Sequence, residues 1–458
     1  MEREKFGSRL GFLLLSAGCA IGIGNVWRFP YVVGQNGGGA FVLIYIFFLL
    51  VMGIPVMTME FSVGRASRKS VVKSFKVLEK PGHKWHLHGY VAMIGNYLLM
   101  MFYTVIAGWM LYYFFGMASG RFEGADTAQV KALFSELMAK PGTMLFWMVL
   151  VVVLGFGICS IGLQKGVERI TKIMMVALLV VMVVLAVNSI TLSGGQEGLK
   201  FYLIPDIEQI RQVGIGKIIV AAMNQAFFTL SLGIGSMAIF GSYLAKDRSL
   251  LGESVNVAIL DTFVALVAGL IIFPACFAFG VNPDSGTSLI FLTLPNVFNA
   301  MPGGRIWGTL FFVFMSFAAL STVIAVFENI MSFGMDLWGW SRKKSSGINV
   351  IIIIIASIPC ILGFNLWSAF QPLGPGSVVL DLEDFFVSNI FLPLGSLIYV
   401  LFCVTKYGWG WKNYMAEVNT GKGMKMPGWI RYYVTFVIPP LILFLFGYGI
   451  FEKFFMNK

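Results

Sequence analysis

Charged side chains are scarce in this sequence, which sets it apart from soluble domains. Asp, Glu, Lys and Arg make up 12% of its 458 residues, and hydrophobic residues make up 58%. Soluble domains carry about 25% charged residues. The mean hydropathy of +0.82 agrees with this difference. The composition therefore predicts a protein that is surrounded by lipid.

Other absences exclude several functional classes. The five cysteines lie in or beside apolar runs and form no close pairs, so a disulfide framework is not expected. The glycine-rich stretch at 36–39 lacks the Lys-Ser or Lys-Thr that completes a phosphate-binding loop. No pairing of a nucleophile with a base can be argued either. We therefore expect neither an ATP-driven pump nor an enzyme.

Long apolar runs dominate what is present. About 20 apolar residues are needed for a helix to cross a bilayer, and only helices and closed barrels satisfy their backbone polar groups there. The runs predict an all-α polytopic membrane protein with about eleven spans, at 10–33, 40–63, 88–118, 143–161, 167–190, 217–243, 254–280, 306–334, 347–367, 385–404 and 430–455.

The net charge of +11 reflects membrane topology. Most of the 33 Lys and Arg residues fall on one side when the N-terminus is placed in the cytoplasm. By the positive-inside rule, the N-terminus is predicted to be cytoplasmic and the C-terminus extracellular. The lipid bilayer is thus the expected partner of the basic residues, and nucleic-acid binding is not expected.

Two spans contain glycine-rich interruptions, at 18–25 (GCAIGIGN) and at 229–236 (TLSLGIGS), five spans apart. Each interior glycine costs a helix about 1 kcal/mol relative to alanine. Paired interruptions in two halves indicate an inverted-repeat transporter whose site lies near the bilayer midplane. The alternative is that these glycines only allow close packing of helices.

Unwound backbone within a membrane needs polar partners. The amides at the start of each second half-helix suit a carboxylate, whereas free carbonyls suit a hard cation. An amino acid together with sodium would satisfy both. Arg28, Asp261 and Asp384 are ionisable residues within spans and are therefore candidate site residues. The alternatives are a snorkelling arginine for Arg28 and a structural, hydrogen-bonded carboxylate for Asp261.

Several longer motifs resemble the neurotransmitter:sodium symporter family, in its bacterial amino-acid branch. They are GCAIGIGNVWRFPY at 18–31, NGGGAF at 36–41, GIP at 53–55 with Glu60 and Gly64-Arg65, and QAFFTLSLGIG at 225–235. The resemblance implies the LeuT-type fold, which is a 5+5 inverted repeat with broken helices 1 and 6. It implies one transporter domain, 1–458, with repeats at about 8–190 and 215–404 and an extra helix at about 430–455.

The resemblance also implies two sodium sites and a substrate site. The first sodium site would use Ala20, Asn25, Thr229 and Asp261. The second would use Gly18, Ile21, Ala318, Ser321 and Thr322. Substrate would contact Ala20, Gly22, Gly24, Leu99, Tyr103, Phe228, Thr229, Ser231, Ile234 and Val326. Glycine at 22, where amine-transporting relatives have aspartate, favours a substrate that brings its own carboxylate.

Two gates follow from the same resemblance. The outer gate would comprise Arg28, Asp384, Tyr103, Phe228 and Gln225. The inner gate would comprise Arg3, Phe6, Tyr243 and Asp336, with Phe6 at a position usually held by tryptophan. Alternating access follows if the two gates open in turn.

Three departures from the family pattern modify these expectations. Asp261 replaces the usual asparagine and Ala265 the serine of chloride-dependent members, so chloride independence is expected. Val176 replaces a proline that is linked to unwinding of span 5, so inward release is expected to be slower. The chain ends after eleven predicted spans where many members have twelve, and the oligomeric state is left open.

The sequence thus predicts a sodium-coupled symporter in a bacterial cytoplasmic membrane. Its apolar and aromatic pocket favours hydrophobic or aromatic L-amino acids. A sodium-conducting channel or a transport-inactive amino-acid sensor could keep the same broken helices, and both remain as alternatives.

Overall fold

A computed structural model describes residues 4–280 and 289–456, and this part of the chain is helical with no strand. Its first nine α-helices are α1 (Arg9–Ala20), α2 (Phe29–Gln35), α3 (Gly39–Phe48), α4 (Ile54–Ser67), α5 (Val71–Leu78), α6 (Leu87–Ala118), α7 (Thr127–Ala139), α8 (Pro141–Ile161) and α9 (Arg169–Ile190). The predicted all-α fold class is confirmed.

The remaining α-helices follow in chain order. They are α10 (Gly195–Leu203), α11 (Ile207–Val213), α12 (Ile215–Thr229), α13 (Ser236–Tyr243), α14 (Leu250–Ala278), α15 (Leu294–Ala300), α16 (Gly304–Trp338), α17 (Arg342–Gly363), α18 (Val379–Phe385), α19 (Leu392–Val404), α20 (Trp411–Val418), α21 (Ile430–Phe436) and α22 (Ile438–Phe451). Short π-helical segments extend or join some of them, at Gly24–Arg28, Leu49–Gly53, Leu163–Glu168, Leu289–Thr293, Phe386–Phe391 and Glu452–Met456.

Nine helices of the described residues are long and apolar enough to cross a membrane. Arg9–Ala20 and Gly24–Gln35 form one further span that is bent by 55°. The predicted sixth span corresponds to α12 and α13, which are separated by the second break and are each too short to qualify. Every predicted range therefore contains helix, but the count of eleven spans is not confirmed.

The first break follows from the local sequence. Ser8 caps α1 by accepting a hydrogen bond from the Gly11 amide at 3.0 Å. The helix stops at Ala20 because Ile21 has φ −70° and ψ 89°, which is outside the helical region. Helical structure resumes at Gly24 as a π-helical turn. The carbonyls at the end of α1 are thereby released from helical pairing.

The second break depends on positive φ angles. After α12 ends at Thr229, the backbone has φ values of 50° at Ser231, 101° at Gly233 and 81° at Gly235. Glycine adopts this region without the penalty that a Cβ atom imposes. A Cβ at Gly233 would also lie 2.3 Å from the Leu392 carbonyl oxygen. Both the turn and the close approach to α19 therefore require glycine there.

Candidate functional site

The two breaks meet at the carboxylate of Asp261. Asn25, just after the first break, donates through Nδ2 to Asp261 Oδ1 at 2.7 Å and to the Asp261 carbonyl at 3.1 Å. Thr229, just before the second break, donates to Asp261 Oδ2 at 3.0 Å. Asp261 is fully buried. The structure thus brings three predicted ligands of the first sodium site together, and the fourth, Ala20, is the last residue of α1.

A second group of oxygen atoms lies where α16 passes the first break. The Thr322 hydroxyl is 3.2 Å from the carbonyl oxygen of Gly18, 3.4 Å from that of Ile21 and 3.4 Å from that of Ala318. The Ser321 hydroxyl is 3.5 Å from the Ile21 carbonyl and 2.9 Å from the Ala318 carbonyl. All five residues predicted for the second sodium site therefore converge.

The chemistry of this second group fits a hard cation. Two hydroxyls have one proton each, whereas several carbonyl oxygens surround them, so acceptors outnumber donors. Oxygen ligands about 2.4 Å from a cation of this kind lie about 3.4 Å apart when they are at right angles to each other. The separations around Thr322 are close to this value. The residues present are therefore suited to hold sodium.

The glycines of the first break lie against large side chains. The Ile23 amide donates to the Tyr103 hydroxyl at 3.0 Å, which ties the break to α6. A Cβ at Gly22 would lie 2.5 Å from that hydroxyl and 2.7 Å from the Thr322 hydroxyl. A Cβ at Gly24 would lie 2.8 Å from the Phe228 ring. Both positions therefore require glycine, because a Cβ atom at either one would come too close to a neighbouring side chain.

Gly22→Ala is expected to impair transport without unfolding the protein. The added methyl group would meet Tyr103 and Thr322, and overpacking of this kind costs about 1 to 3 kcal/mol, or about 5- to 150-fold in activity. Uptake into proteoliposomes and the thermal midpoint of the detergent-solubilised protein measure the two effects. Gly157→Ala in α8 is the control, because no atom lies within 4 Å of the Cβ it would add. Equal uptake by the two variants would contradict the close approach at Gly22.

The other predicted substrate residues belong to α6, the second break and α16. Leu99, Ile234 and Val326 are buried, and Ser231 has the strained positive φ of the break. The Ile234 carbonyl accepts from Asn96 Nδ2 at 2.7 Å, and Asn329 Nδ2 donates to Asn96 Oδ1 at 3.0 Å. This pair of asparagines fixes the second break to α6 and α16, and sequence reasoning did not single it out.

A cavity of about 330 Å³ leads toward the first break, and Gly24, Tyr103 and Phe228 line it together with Arg28 and Asp384. The Arg28 guanidinium lies 3.9 Å from the centre of the Phe228 ring. Gln225 Nε2 is 3.5 Å from the Gly24 carbonyl. Among the described residues no ion pair joins Arg28 to Asp384, whose carboxylate accepts from Ser388 at 2.8 Å. Four of the five predicted outer-gate residues thus line one cavity, and the fifth, Gln225, lies beside Gly24; Arg28 and Asp384 do not form an ion pair with each other.

The predicted inner gate is partly visible. The Phe6 and Tyr243 rings meet edge to face with centroids 5.7 Å apart. Asp336 accepts from the Ser70 amide at 2.7 Å, and Lys69 Nζ lies 3.9 Å from its other oxygen. Arg3 lies outside the described residues. Phe6 and Tyr243 are therefore in contact with each other, and Asp336 binds Ser70, the residue that precedes α5.

A buried ion pair beside Tyr243 was missed by sequence reasoning. Glu328 is fully buried and accepts from the Tyr243 hydroxyl at 2.6 Å. Arg342 donates to both oxygens of Glu328, at 2.6 and 2.9 Å, and also binds Glu4 at 2.8 Å. Glu328 was recognisable as an ionisable residue within a span, but nothing in the sequence identified its partners.

Glu60 has a structural place at the second break. Its two oxygens accept from the Gly233 amide at 2.9 Å and from the Met237 amide at 3.0 Å. A carboxylate at this position accepts hydrogen bonds from free amides at the start of α13. Its negative charge also interacts favourably with the partial positive charge at this end of the helix.

The helix around Val176 in α9 is continuous, and a π-helical segment precedes it at Leu163–Glu168.

Comparison with known proteins agrees with this geometry. The model of the Sodium:neurotransmitter symporter family matches residues 3–124 and 126–456. An uncharacterized sodium-dependent transporter of Bacillus subtilis, YhdH, is 35% identical over 96% of both chains. The sodium- and chloride-dependent GABA transporter 2 of rat is 24% identical over 98% of this chain and 80% of its own length.

A solved structure is similar over the whole chain. The crystal structure of MhsT in complex with L-phenylalanine is 38% identical, with a TM-score of 0.87 and coverage of 98% of this chain and 100% of that chain. Family, relatives and fold point to the same activity. The chain therefore belongs to the sodium:neurotransmitter symporter family and is a sodium-dependent membrane transporter, not an enzyme.

Proposed function

We propose that the protein imports hydrophobic or aromatic L-amino acids together with sodium, by alternating access. The observation that carries this proposal is that the two broken helices meet at Asp261. On its other side the first break contacts Thr322 of α16. Gly22 connects the two groups of oxygen atoms, because its amide donates to Asn25 Oδ1 at 3.4 Å and a Cβ on it would lie 2.7 Å from the Thr322 hydroxyl. The structural neighbour bound to L-phenylalanine supports this substrate class.

Glycine at position 22 supports an amino acid over a simple amine. An aspartate there would have no room, because even a Cβ atom would overlap Tyr103 and Thr322. The substrate therefore supplies the carboxylate itself, and the amides around the first break and the Tyr103 hydroxyl are the nearby donors. Leu99, Ile234 and Val326 offer apolar surfaces to the side chain.

We further propose two sodium sites and transport without chloride. The first site uses Ala20, Asn25, Thr229 and Asp261, and the second uses Gly18, Ile21, Ala318, Ser321 and Thr322. The Asp261 carboxylate supplies a fixed negative charge next to the first ion, so no mobile anion is needed to balance it. Replacing chloride by gluconate is expected to leave uptake unchanged, and a loss of uptake would overturn this assignment.

Uptake by proteoliposomes tests the function. Radiolabelled leucine, tryptophan, phenylalanine and lysine are supplied with an inward sodium gradient, or with potassium in place of sodium. Sodium-dependent accumulation of the apolar amino acids is expected, and a preference for lysine would contradict the substrate class. Sodium influx that does not depend on substrate would instead indicate a channel, and binding without accumulation a sensor.

Thr322→Val tests the second sodium site. Valine keeps the shape of threonine but removes one oxygen, and loss of a single polar contact costs about 1.4 kcal/mol, or about tenfold in affinity. The sodium concentration for half-maximal uptake is expected to rise about tenfold. Thr309→Val on the same helix is the matched control, since its hydroxyl binds the Arg305 carbonyl at an exposed position. A shift of the same size in both variants would count against a sodium ligand at Thr322.

We propose that the chain lies in a bacterial cytoplasmic membrane with its N-terminus in the cytoplasm. The cavity beside Arg28 and Asp384 then opens to the outside, and the Glu328–Arg342 pair closes the cytoplasmic side. The distribution of Lys and Arg supports this orientation. Accessibility of a single introduced cysteine to an impermeant reagent in intact cells tests it.

A further inference from the structure

Glu383 is a buried carboxyl group that the transport mechanism above does not use. It lies in α18, and 4% of its surface is exposed. Neither carboxylate oxygen accepts a hydrogen bond from an N–H or O–H group in the described part of the chain. By contrast, the buried carboxyls of Glu60, Asp261 and Glu328 each accept at least two hydrogen bonds. Glu383 therefore differs from these three buried carboxyl groups.

The position of Glu383 on α18 separates it from the cavity. Leu380, Asp381 and Asp384 of the same helix line the cavity. The face that carries Val379 packs against α17, where a Cβ at Gly363 would lie 3.0 Å from Val379. Glu383 lies beside the thiol of Cys360 of α17, which is a weak donor. Its carboxyl group is thus enclosed between two helices.

No charged group in the described ranges, 4–280 and 289–456, pairs with Glu383. Asp381 accepts from the Val378 amide at 2.8 Å, and Asp384 binds Ser388. Arg28 lies on the cavity side and stacks on Phe228. The titratable and charged groups that the described residues place around α18 are Cys360 on α17, Asp381 and Asp384 on α18 itself, Tyr103 on α6, Tyr31 on α2 and Arg28 at the first break.

Burying a carboxylate without a counter-ion or hydrogen bonds is strongly unfavourable, whereas the neutral acid is tolerated. The packed position of α18 therefore requires a proton on Glu383. We propose that Glu383 is a proton-binding site, and that release of its proton loosens α18 and the outer gate that α18 carries. The ligand of this site is a proton taken from the side to which the cavity opens.

The fold provides a route from this proton to the gate. Asp384 is the next residue and faces the cavity. The π-helical segment Phe386–Phe391 follows α18, and α19 begins with a proline at its second position, Pro393. Such segments weaken helical pairing and are places where helices bend. α18, which forms the first part of the span Val379–Val404, can thus move relative to the rest of that span when Glu383 becomes charged.

Acid and alkaline pH are expected to have opposite effects on the position of α18. Acid pH keeps Glu383 neutral and favours the packed position of α18, with Asp384 against the cavity. Alkaline pH favours the displaced position. Where one proton is linked to substrate binding, the apparent affinity changes by at most about tenfold per pH unit. Under the proposed function, substrate affinity is therefore expected to fall as external pH rises.

Infrared spectroscopy tests the proton independently of transport. The purified full-length protein in liposomes is titrated with acid and base, and the carbonyl band of protonated carboxylic acids is compared between the wild type and Glu383→Gln. A component of this band that is present in the wild type and absent from the variant is expected. Because no substrate is added, a failure here is distinct from a failure of the amino-acid assignment.

Sodium-dependent binding of radiolabelled phenylalanine at several external pH values tests the link to the gate. Glu383→Gln is expected to bind with the affinity that the wild type shows at acid pH, and to lose the pH dependence. Asp381→Asn, an acid-to-amide change on the same helix, is expected to keep it. An unchanged infrared band in Glu383→Gln, or pH profiles of Glu383→Gln and wild type that superimpose, would overturn the proposal.

Discussion

Asp261→Asn is expected to raise the sodium concentration for half-maximal uptake by about 100-fold. Asp261 joins the two breaks through Asn25 and Thr229 and is fully buried, and in the proposed first sodium site its carboxylate supplies a negative charge to the ion. Asparagine removes that charge. Its single side-chain oxygen can accept from one of the two donors, and its NH2 group would then face the other donor. Hydrogen bonds that involve a charged group contribute about 1.5 to 3 kcal/mol each. A loss of about 2.8 kcal/mol, which lies within this range, corresponds to about 100-fold in affinity.

The measurement is uptake of phenylalanine as a function of sodium concentration in proteoliposomes. Glu208→Gln provides an acid-to-amide control at an exposed position of α11. Adding Ala265→Ser to Asp261→Asn restores the residues of chloride-dependent relatives at both positions, so chloride is expected to stimulate this double variant. An unchanged sodium dependence in Asp261→Asn would show that the carboxylate is structural and does not bind the ion.

Arg342→Ala is expected to shift the protein strongly toward the conformation that is open on the side of Tyr243. Arg342 donates to both oxygens of the fully buried Glu328 and also reaches the Cys159 carbonyl at 3.0 Å and Glu4. Removing one partner of a buried pair leaves an uncompensated charge, which costs about 3 to 5 kcal/mol. This energy corresponds to a change of about two to three and a half powers of ten in the equilibrium constant between the two conformations.

Modification of a cysteine introduced at Ser332 measures this shift, because the Ser332 hydroxyl is buried 3.2 Å from that of Tyr243. Faster modification is expected in the Arg342→Ala background, together with weaker sodium-dependent substrate binding. Lys343→Ala is the matched control, since Lys343 is the exposed neighbour of Arg342. Equal modification rates in the two backgrounds would show that the ion pair does not hold this side closed.

The positions of the two breaks could be predicted because their cause is local. Gly18, Gly22 and Gly24 interrupt one apolar run, and Gly233 and Gly235 interrupt another at positive φ. No tertiary contact is needed to know that such stretches are poor helix. The predicted grouping of Asn25, Thr229 and Asp261 rested on the family resemblance, and the structure brings the three side chains together.

The number of spans was predicted less well because the criterion was length alone. The run at 217–243 is apolar throughout, but the second break divides it into α12 and α13, neither of which qualifies as a span. The same irregularity that identified the site therefore leaves this run as two short helices, and the count of eleven spans is not confirmed. Long continuous runs such as that of α16 raised no such difficulty.

The sequence by itself determined that the chain is helical and apolar, that two helices are interrupted, and that few charges are available to line a site. These properties depend on composition and on neighbouring residues. Only the tertiary structure decided which partners those charges have: Arg342 for Glu328, main-chain amides for Glu60 and, within the described residues, no N–H or O–H donor for Glu383. The reason is physical, because helices that are apolar on every face carry no periodic signal of which side meets which neighbour.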